Sequence, residues 1–137
     1  MFFKKTSNKD QDFLVKIGAL LIHAAKIDEN FSSKESEIIK KTLIELGGTK
    51  ENIEKLVLAA KKKEENSNQI LEFTKEVKNL SDYKKNKIIE SLWKIIYSNN
   101  DADIYETNLM RRLAGLLYID SKTMGDIKNK VKDESLK

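Results

Sequence analysis

The sequence predicts an all-α fold, a compact bundle of about seven helices, from three observations. Apolar residues recur at the spacing of a helix face along nearly the whole chain, and no segment alternates as a half-buried strand would. Proline is absent and glycine occurs five times, so little interrupts that periodicity. Where it does stop, capping residues mark the break. With 137 residues the chain has the length of one domain. A polar segment over 1–9, a single helical domain over 10–132 and a fraying tail over 133–137 are the expected divisions.

The first helix is expected from about Asp10 to Lys26, with Phe13, Ile17, Leu20, Leu21 and Ala24 forming one buried stripe. Asp28-Glu29-Asn30 ends it. Ser32-Ser33-Lys34-Glu35 then has the form of a capping box, in which the Ser32 hydroxyl accepts from a first-turn amide and Glu35 reaches back to the Ser32 amide. A second helix carries Ile38, Ile39, Thr42, Leu43 and Leu46 and stops at Gly47-Gly48. Thr49 caps a third, through Ile53, Leu56, Val57 and Ala60 to the region of Asn66. A shorter fourth holds Ile70, Leu71, Phe73, Thr74 and Val77. Ser81 caps a fifth, whose stripe of Ile88, Ile89, Leu92, Trp93 and Ile96 is the most hydrophobic. After Ser98-Asn99-Asn100-Asp101 comes a second capping box, Asp103-Ile104-Tyr105-Glu106. The sixth helix presents Leu109, Met110, Leu113 and Leu117. A seventh starts at Asp120 or Ser121 and carries Met124, Ile127 and Val131. One core is expected to contain Leu20, Ile39, Leu43, Leu92, Trp93, Ile96, Leu109, Leu113 and Leu117.

Composition narrows the function. Hydrophobic residues make up 39% and charged residues 35%, a polar chain with enough aliphatic content to fold. Cysteine is absent, which removes disulfides, thiolate nucleophiles and Cys-type zinc sites and fits a reducing compartment. His23 is the sole histidine, so neither a multi-histidine zinc site nor a Ser-His-Asp triad has support. No Gly-rich phosphate loop or G-x-S-x-G motif appears, and a binder is expected rather than an enzyme. The amino terminus, Met1-Phe2-Phe3-Lys4-Lys5, lacks the apolar run of a signal peptide. The longest apolar stretch, Ile17 to Ala25, is too short to span a bilayer. A soluble cytoplasmic protein without direct membrane insertion is the expectation. The net charge of +4 comes from 26 basic and 22 acidic residues interleaved along the chain. Lys61-Lys62-Lys63, answered at once by Glu64-Glu65, reads as a solvated helix face rather than a phosphate track. The Lys, Asn and Ile enrichment is what an AT-rich genome imposes.

The two capping boxes reveal an internal duplication. An apolar helix, Asp28, Glu35, Ile38, Ile39 and Leu46 align with an apolar helix, Asn99, Glu106, Leu109, Met110 and Leu117, at a constant offset of 71 residues. A pseudo-twofold bundle follows, with the two acidic turns near each other or at matching ends. Ala24-Ala25-Lys26-Ile27-Asp28 through Glu35 resembles the alanine-Asp-Gly turn and following Glu of the tellurite-resistance TerB-like proteins. Ile70-Leu71-Glu72-Phe73-Thr74 resembles the middle of that family. The most specific match is Ser91 to Tyr97, Asn99 to Glu106, then Leu109 to Ile119, and the likeness extends from about Phe13 to Val131.

The resemblance implies a seven-helix intracellular domain whose paired acidic turns hold a divalent cation, with no enzymatic activity. Relatives stand in tellurite and stress-response operons and beside the J-domain of a membrane-tethered co-chaperone. The implied partner is therefore a protein, with a membrane protein among the candidates, in preference to nucleic acid. This chain departs from the pattern: the turn glycines are replaced by Glu29 and Asn100, and the leading Asp of the second turn by Asn99.

Asp28, Glu35, Asn99 and Glu106, helped by Asp101 or Asp103, are the candidate metal ligands, because calcium and magnesium take carboxylate and amide oxygens. The pattern is not an EF-hand, since a twelve-residue loop from Asp28 or Asn99 would put its last ligand at Ile39 or Met110. In the competing reading Glu35 and Glu106 close capping boxes at the positive ends of helices. His23 reads as a hydrogen-bonded structural imidazole. Trp93 with Tyr97 reads as core packing in preference to a partner groove. The alternative function is a nucleic-acid-binding helix-turn-helix over Arg111–Val131. Its second helix offers Lys122, Asp126, Lys128, Asn129 and Lys130, without the arginine of a bidentate guanine contact.

Overall fold

A computed structural model of the chain describes residues 8–26, 33–66, 71–75, 77–98 and 104–135. Among them are seven α-helices, one 3-10 turn and no strand: α1 (Asn8–Lys26), α2 (Ser33–Glu45), α3 (Ile53–Glu65), α4 (Leu71–Thr74), the 3-10 turn Val77–Asn79, α5 (Asp82–Tyr97), α6 (Ile104–Leu116) and α7 (Ser121–Ser135). Each long helix buries one stripe. All nine residues expected in the core lie in one cluster of buried side chains, with Leu20, Ile39, Leu43, Leu92, Ile96, Leu113 and Leu117 fully shielded from water. Burying a side chain of that size stabilises the fold by about 1.5–3 kcal/mol.

Helix boundaries differ from expectation in four places, the first being α3, which begins at Ile53 after Asn52 and not at a Thr49 cap. α1 begins at Asn8, two residues earlier than expected, and α7 continues through Ser135, beyond Lys132. The fourth helix is broken into the single turn α4 and a 3-10 turn. Phe73, Thr74 and Val77 are all buried there, so packing against α1 and the core fixes this segment, and its backbone follows those anchors. A helix this short has little stability of its own.

The duplication shows in how the outer helices of each unit pack. α1 packs closely on α3 and α5 on α7, and the equivalent helices α1 and α5 meet at the centre. Both units end their middle helix in the same hydrogen-bonded turn. Gly47 N–H donates to Ile44 and Gly48 N–H to Leu43, while 71 residues later Tyr118 N–H donates to Gly115 and Ile119 N–H to Ala114. The left-handed residue of this motif is Gly47 in the first unit, at φ 127°, and Tyr118 in the second, at φ 59°. A tyrosine there bears a steric cost of about 1–2 kcal/mol that a glycine avoids. Its ring stays exposed, with the Lys78 and Lys85 ammonium groups each 5.9 Å from the centroid.

The next helices start differently. Thr49 does not cap α3 as expected: its Oγ1 accepts from Asn52 N–H at 3.2 Å in a turn that precedes the helix, which begins at Ile53 after Asn52, whereas Asp120 Oδ1 accepts from Thr123 N–H at 2.6 Å directly at the start of α7. That bond holds the exposed Asp120 carboxyl below the usual aspartate range. Ser81 caps α5 as expected, accepting from Lys84 N–H at 3.4 Å.

The units differ where their helices cross. In the first, Gly18 brings α1 so close to α3 that a Cβ at Gly18 would stand 2.8 Å from the Ala60 Cβ. The equivalent pair in the second unit is Ile89 and Val131, two bulky buried side chains. A buried hydroxyl chain joins the units: Thr42 on α2 donates to Ser91 on α5 at 2.6 Å, and Ser91 to the Lys87 carbonyl at 3.0 Å.

Candidate functional site

The acidic turns are approached from two helix ends, the start of α2 and the end of α5. Lys34, in the first turn of α2, and Ser98, which closes α5, line one cleft of about 270 Å³ together with Ile38, Lys94, Tyr97 and Glu134. The residues leading out of the first turn and into the second therefore lie side by side at one end of the bundle. Ser98 Oγ donates to the Ile95 carbonyl at 2.6 Å, which fastens the end of α5.

Next to Lys34, Glu35 is fully shielded from water, and its side chain is engaged rather than free. A surface capping glutamate would stay partly wet. Burying a carboxylate costs several kcal/mol unless other groups compensate, so the first acidic position is built into the core. The Glu106 backbone lies in the first turn of α6, but its side chain falls outside the described residues, as do Asp28, Asn99, Asp101 and Asp103. The Ser32 half of the first capping box and the Asp103 half of the second lie outside them too. Among the described residues, no group of three or more His, Asp or Glu side chains is placed to hold a metal.

His23 has the structural role expected of it. Its Nδ1 is 3.2 Å from Oε2 of Glu64, whose Oε1 accepts from Lys26 Nζ at 2.8 Å. Partial burial pushes the Glu64 carboxyl up, yet the bonds from Lys26 and His23 together outweigh burial and hold it below the usual glutamate range. A carboxyl with a depressed pKa in the folded state stabilises above its unfolded pKa and loses that effect as pH falls through the folded value. We expect Glu64→Gln to cost about 1 kcal/mol at neutral pH, a charged hydrogen bond discounted for the half-exposed Lys26. The difference from wild type should shrink below about pH 4.5, as thermal melts along a pH series would show. A difference independent of pH would assign the cost to packing instead.

Trp93 and Tyr97 pack as the core reading predicts, both buried, with ring centroids 5.9 Å apart and planes inclined at 27°. Two features were not readable from the sequence: the partner of His23 lies 41 residues away, and the Trp93 Nε1 is buried without a hydrogen-bond partner among the described residues. Over Arg111–Val131, α7 turns Met124 and Val131 into the core. Two cations of its outer face are matched by acids, Lys122 with Asp126 at 3.1 Å and Lys130 with Glu90 at 3.7 Å. Among the described residues no helix is long and apolar enough to cross a membrane.

Together these features define a duplicated all-helical domain in which Lys34 and Ser98, the described residues that flank the two acidic segments, share one cleft. The family model of the tellurite resistance protein TerB matches residues 15–129, most of the chain. The chain belongs to the TerB family. No curated protein and no solved structure is significantly similar to it.

Proposed function

We propose that the chain is a non-enzymatic interaction module that takes a divalent cation weakly at the end of the bundle where the acidic turns meet. The carrying observation is the cleft that Lys34 and Ser98 share, next to the buried Glu35. With the turn flanks side by side, Asp28, Glu35 and Glu106 supply carboxylates to one small volume, and Asn99, Asp101 and Asp103 supply the remaining oxygens. Calcium or magnesium suits such a set. Asn99 offers a neutral oxygen, which sets the affinity in the ~10⁻⁴–10⁻³ M range of low-charge calcium sites. The non-enzymatic reading is supported by the lone histidine, whose Nδ1 faces Glu64, and by the absence of cysteine from the sequence. The function served is a stress response of the tellurite-resistance kind in the cytoplasm, through a protein or membrane-protein partner.

Thermal melts with and without calcium or magnesium test the cation. Ligand at ten times its dissociation constant stabilises by about 1.4 kcal/mol, which raises the melting temperature of a domain this size by roughly 4–7 °C. The increment should vanish in Glu35→Gln. Unchanged melting in both proteins would leave Glu35 as a cap, with Lys34 and Lys94 as neighbouring positive charge.

A further inference from the structure

In the first unit α2 packs closely on both α1 and α3; in the second the extensive approach among the described residues is α5 with α7. Beside it lies a cleft of about 220 Å³ between α6 and α7, with the indole of Trp93 on its α5 side. Met110 and Ala114 from α6 and Met124 and Gly125 from α7 form its walls. The first unit has no counterpart to this chemistry. At the positions equivalent to Trp93, Met110, Met124 and Lys128 it has Ile22, Ile39, Ile53 and Val57, all buried in the core.

Three properties restrict what the cleft takes. Its size is below the roughly 300–1,000 Å³ of ordinary small-molecule pockets, so it suits one inserted side chain better than a free ligand. Its walls are apolar, and two of them are methionines, which repack around varied shapes. The charged side chains among its described lining residues are both positive: Arg111 and Lys128, with the Lys128 ammonium 5.4 Å from the Trp93 ring centroid. The Trp93 Nε1 adds a buried donor with no acceptor among the described residues, an arrangement that native interiors seldom show.

We propose that this α6–α7 cleft is a docking site for an acidic protein segment that inserts one large apolar side chain between Met110 and Met124. Flanking carboxylates of the segment pair with Arg111 and Lys128. The proposal rests on the reading of the chain as an interaction module and names the partner's chemistry. It does not depend on the cation.

The test uses the full chain in chelator-containing buffer, so that failure of the cation reading leaves it intact. Trp93 is the sole tryptophan, so its indole N–H gives one resonance that reports on the cleft. The probe is an acetylated Asp-Glu-Asp-Phe-Asp-Glu-Asp peptide, compared with its lysine counterpart and with Ser in place of Phe. We expect a saturable shift of the indole resonance for the acidic Phe peptide alone, with affinity falling severalfold as salt rises from about 0.05 to 0.3 M. Gly125→Leu fills the cleft from a position where an added Cβ meets nothing within 4 Å, so it should fold and abolish the shift. Lys128→Glu should reverse the preference toward the lysine peptide. The proposal is overturned by no shift at millimolar peptide, by an equal response to the Ser or lysine peptide, or by a response that survives in Gly125→Leu. A concentration-dependent shift without peptide would assign the cleft to a second copy of the chain. Tighter binding of a single-stranded oligonucleotide would assign it to nucleic acid. Either result also overturns it.

Discussion

Gly18→Val is expected to destabilise the protein by about 3 kcal/mol, at the upper end of the usual range for overpacking. A Cβ at this position would stand 2.8 Å from the Ala60 Cβ and 3.4 Å from Leu43 Cδ1, and the two methyl groups beyond it have no space to enter. The first contact is to an atom fixed to the α3 backbone, so no rotamer change relieves it and the helices must separate. For a domain of this length the melting temperature should fall by roughly 9–15 °C. Ala60→Gly in the same chain removes the opposing atom and should restore part of the loss. Gly115→Ala is the control, because nothing lies within 4 Å of its added Cβ. There the gain in helix propensity should stabilise by up to about 1 kcal/mol. A Gly18→Val protein that melts like wild type would mean that α1 and α3 do not cross at these two residues.

The second large effect is expected at Glu35. Removing a fully buried and engaged acid leaves its partners dehydrated and uncompensated, a loss of about 1–3 kcal/mol that grows to about 3–5 kcal/mol where the pair is charged. Glu35→Ala should therefore rank with the deletion of a large core side chain, although acidic residues at helix starts are ordinarily worth well under 1 kcal/mol there. Glu35→Gln preserves shape and much of the hydrogen bonding, so its cost without added cation should be the smaller of the two. Chemical denaturation of the two variants side by side makes the comparison. A surface-like loss of a few tenths of a kcal/mol in Glu35→Ala would contradict the burial of this side chain.

Much of the fold was legible because it rests on local rules. The stripes through Leu20, Ile39, Leu92 and Leu113 follow from the helical period, and the stop at Gly47-Gly48 and the Ser81 cap follow from backbone chemistry. The duplication showed because equivalent helices must bury equivalent faces at a fixed spacing. What was not legible depends on contacts between distant segments. Gly18 carries no sign in the sequence that Ala60 faces it, and His23 none that Glu64 does. Tyr118 stands in a left-handed turn position that sequence rules give to glycine, and only its alignment with Gly47 points to that role. The break after Thr74 reflects buried anchors overriding a helical pattern too short to persist alone.

The candidate site was legible in part for the same reason. Spacing identified the acidic positions and the offset between them, but whether the turns converge is a tertiary property. Glu35 illustrates the gap: the capping-box pattern places an acid in the first turn of a helix but does not say that its side chain is fully buried, as it is. Ser98 and Lys34, far apart in sequence, had no pattern to join them to one cleft.

If both acidic turns form one cation site, an amide-resolved NMR titration with calcium or magnesium will report it. The amides of Lys34 and Glu35 in one unit, and those from Ser98 to Glu106 in the other, should shift together with a single dissociation constant of ~10⁻⁴–10⁻³ M. The Trp93 indole should stay unmoved. Shifts confined to one turn, unequal constants for the two, or no shift at 10 mM or so of either ion would contradict it.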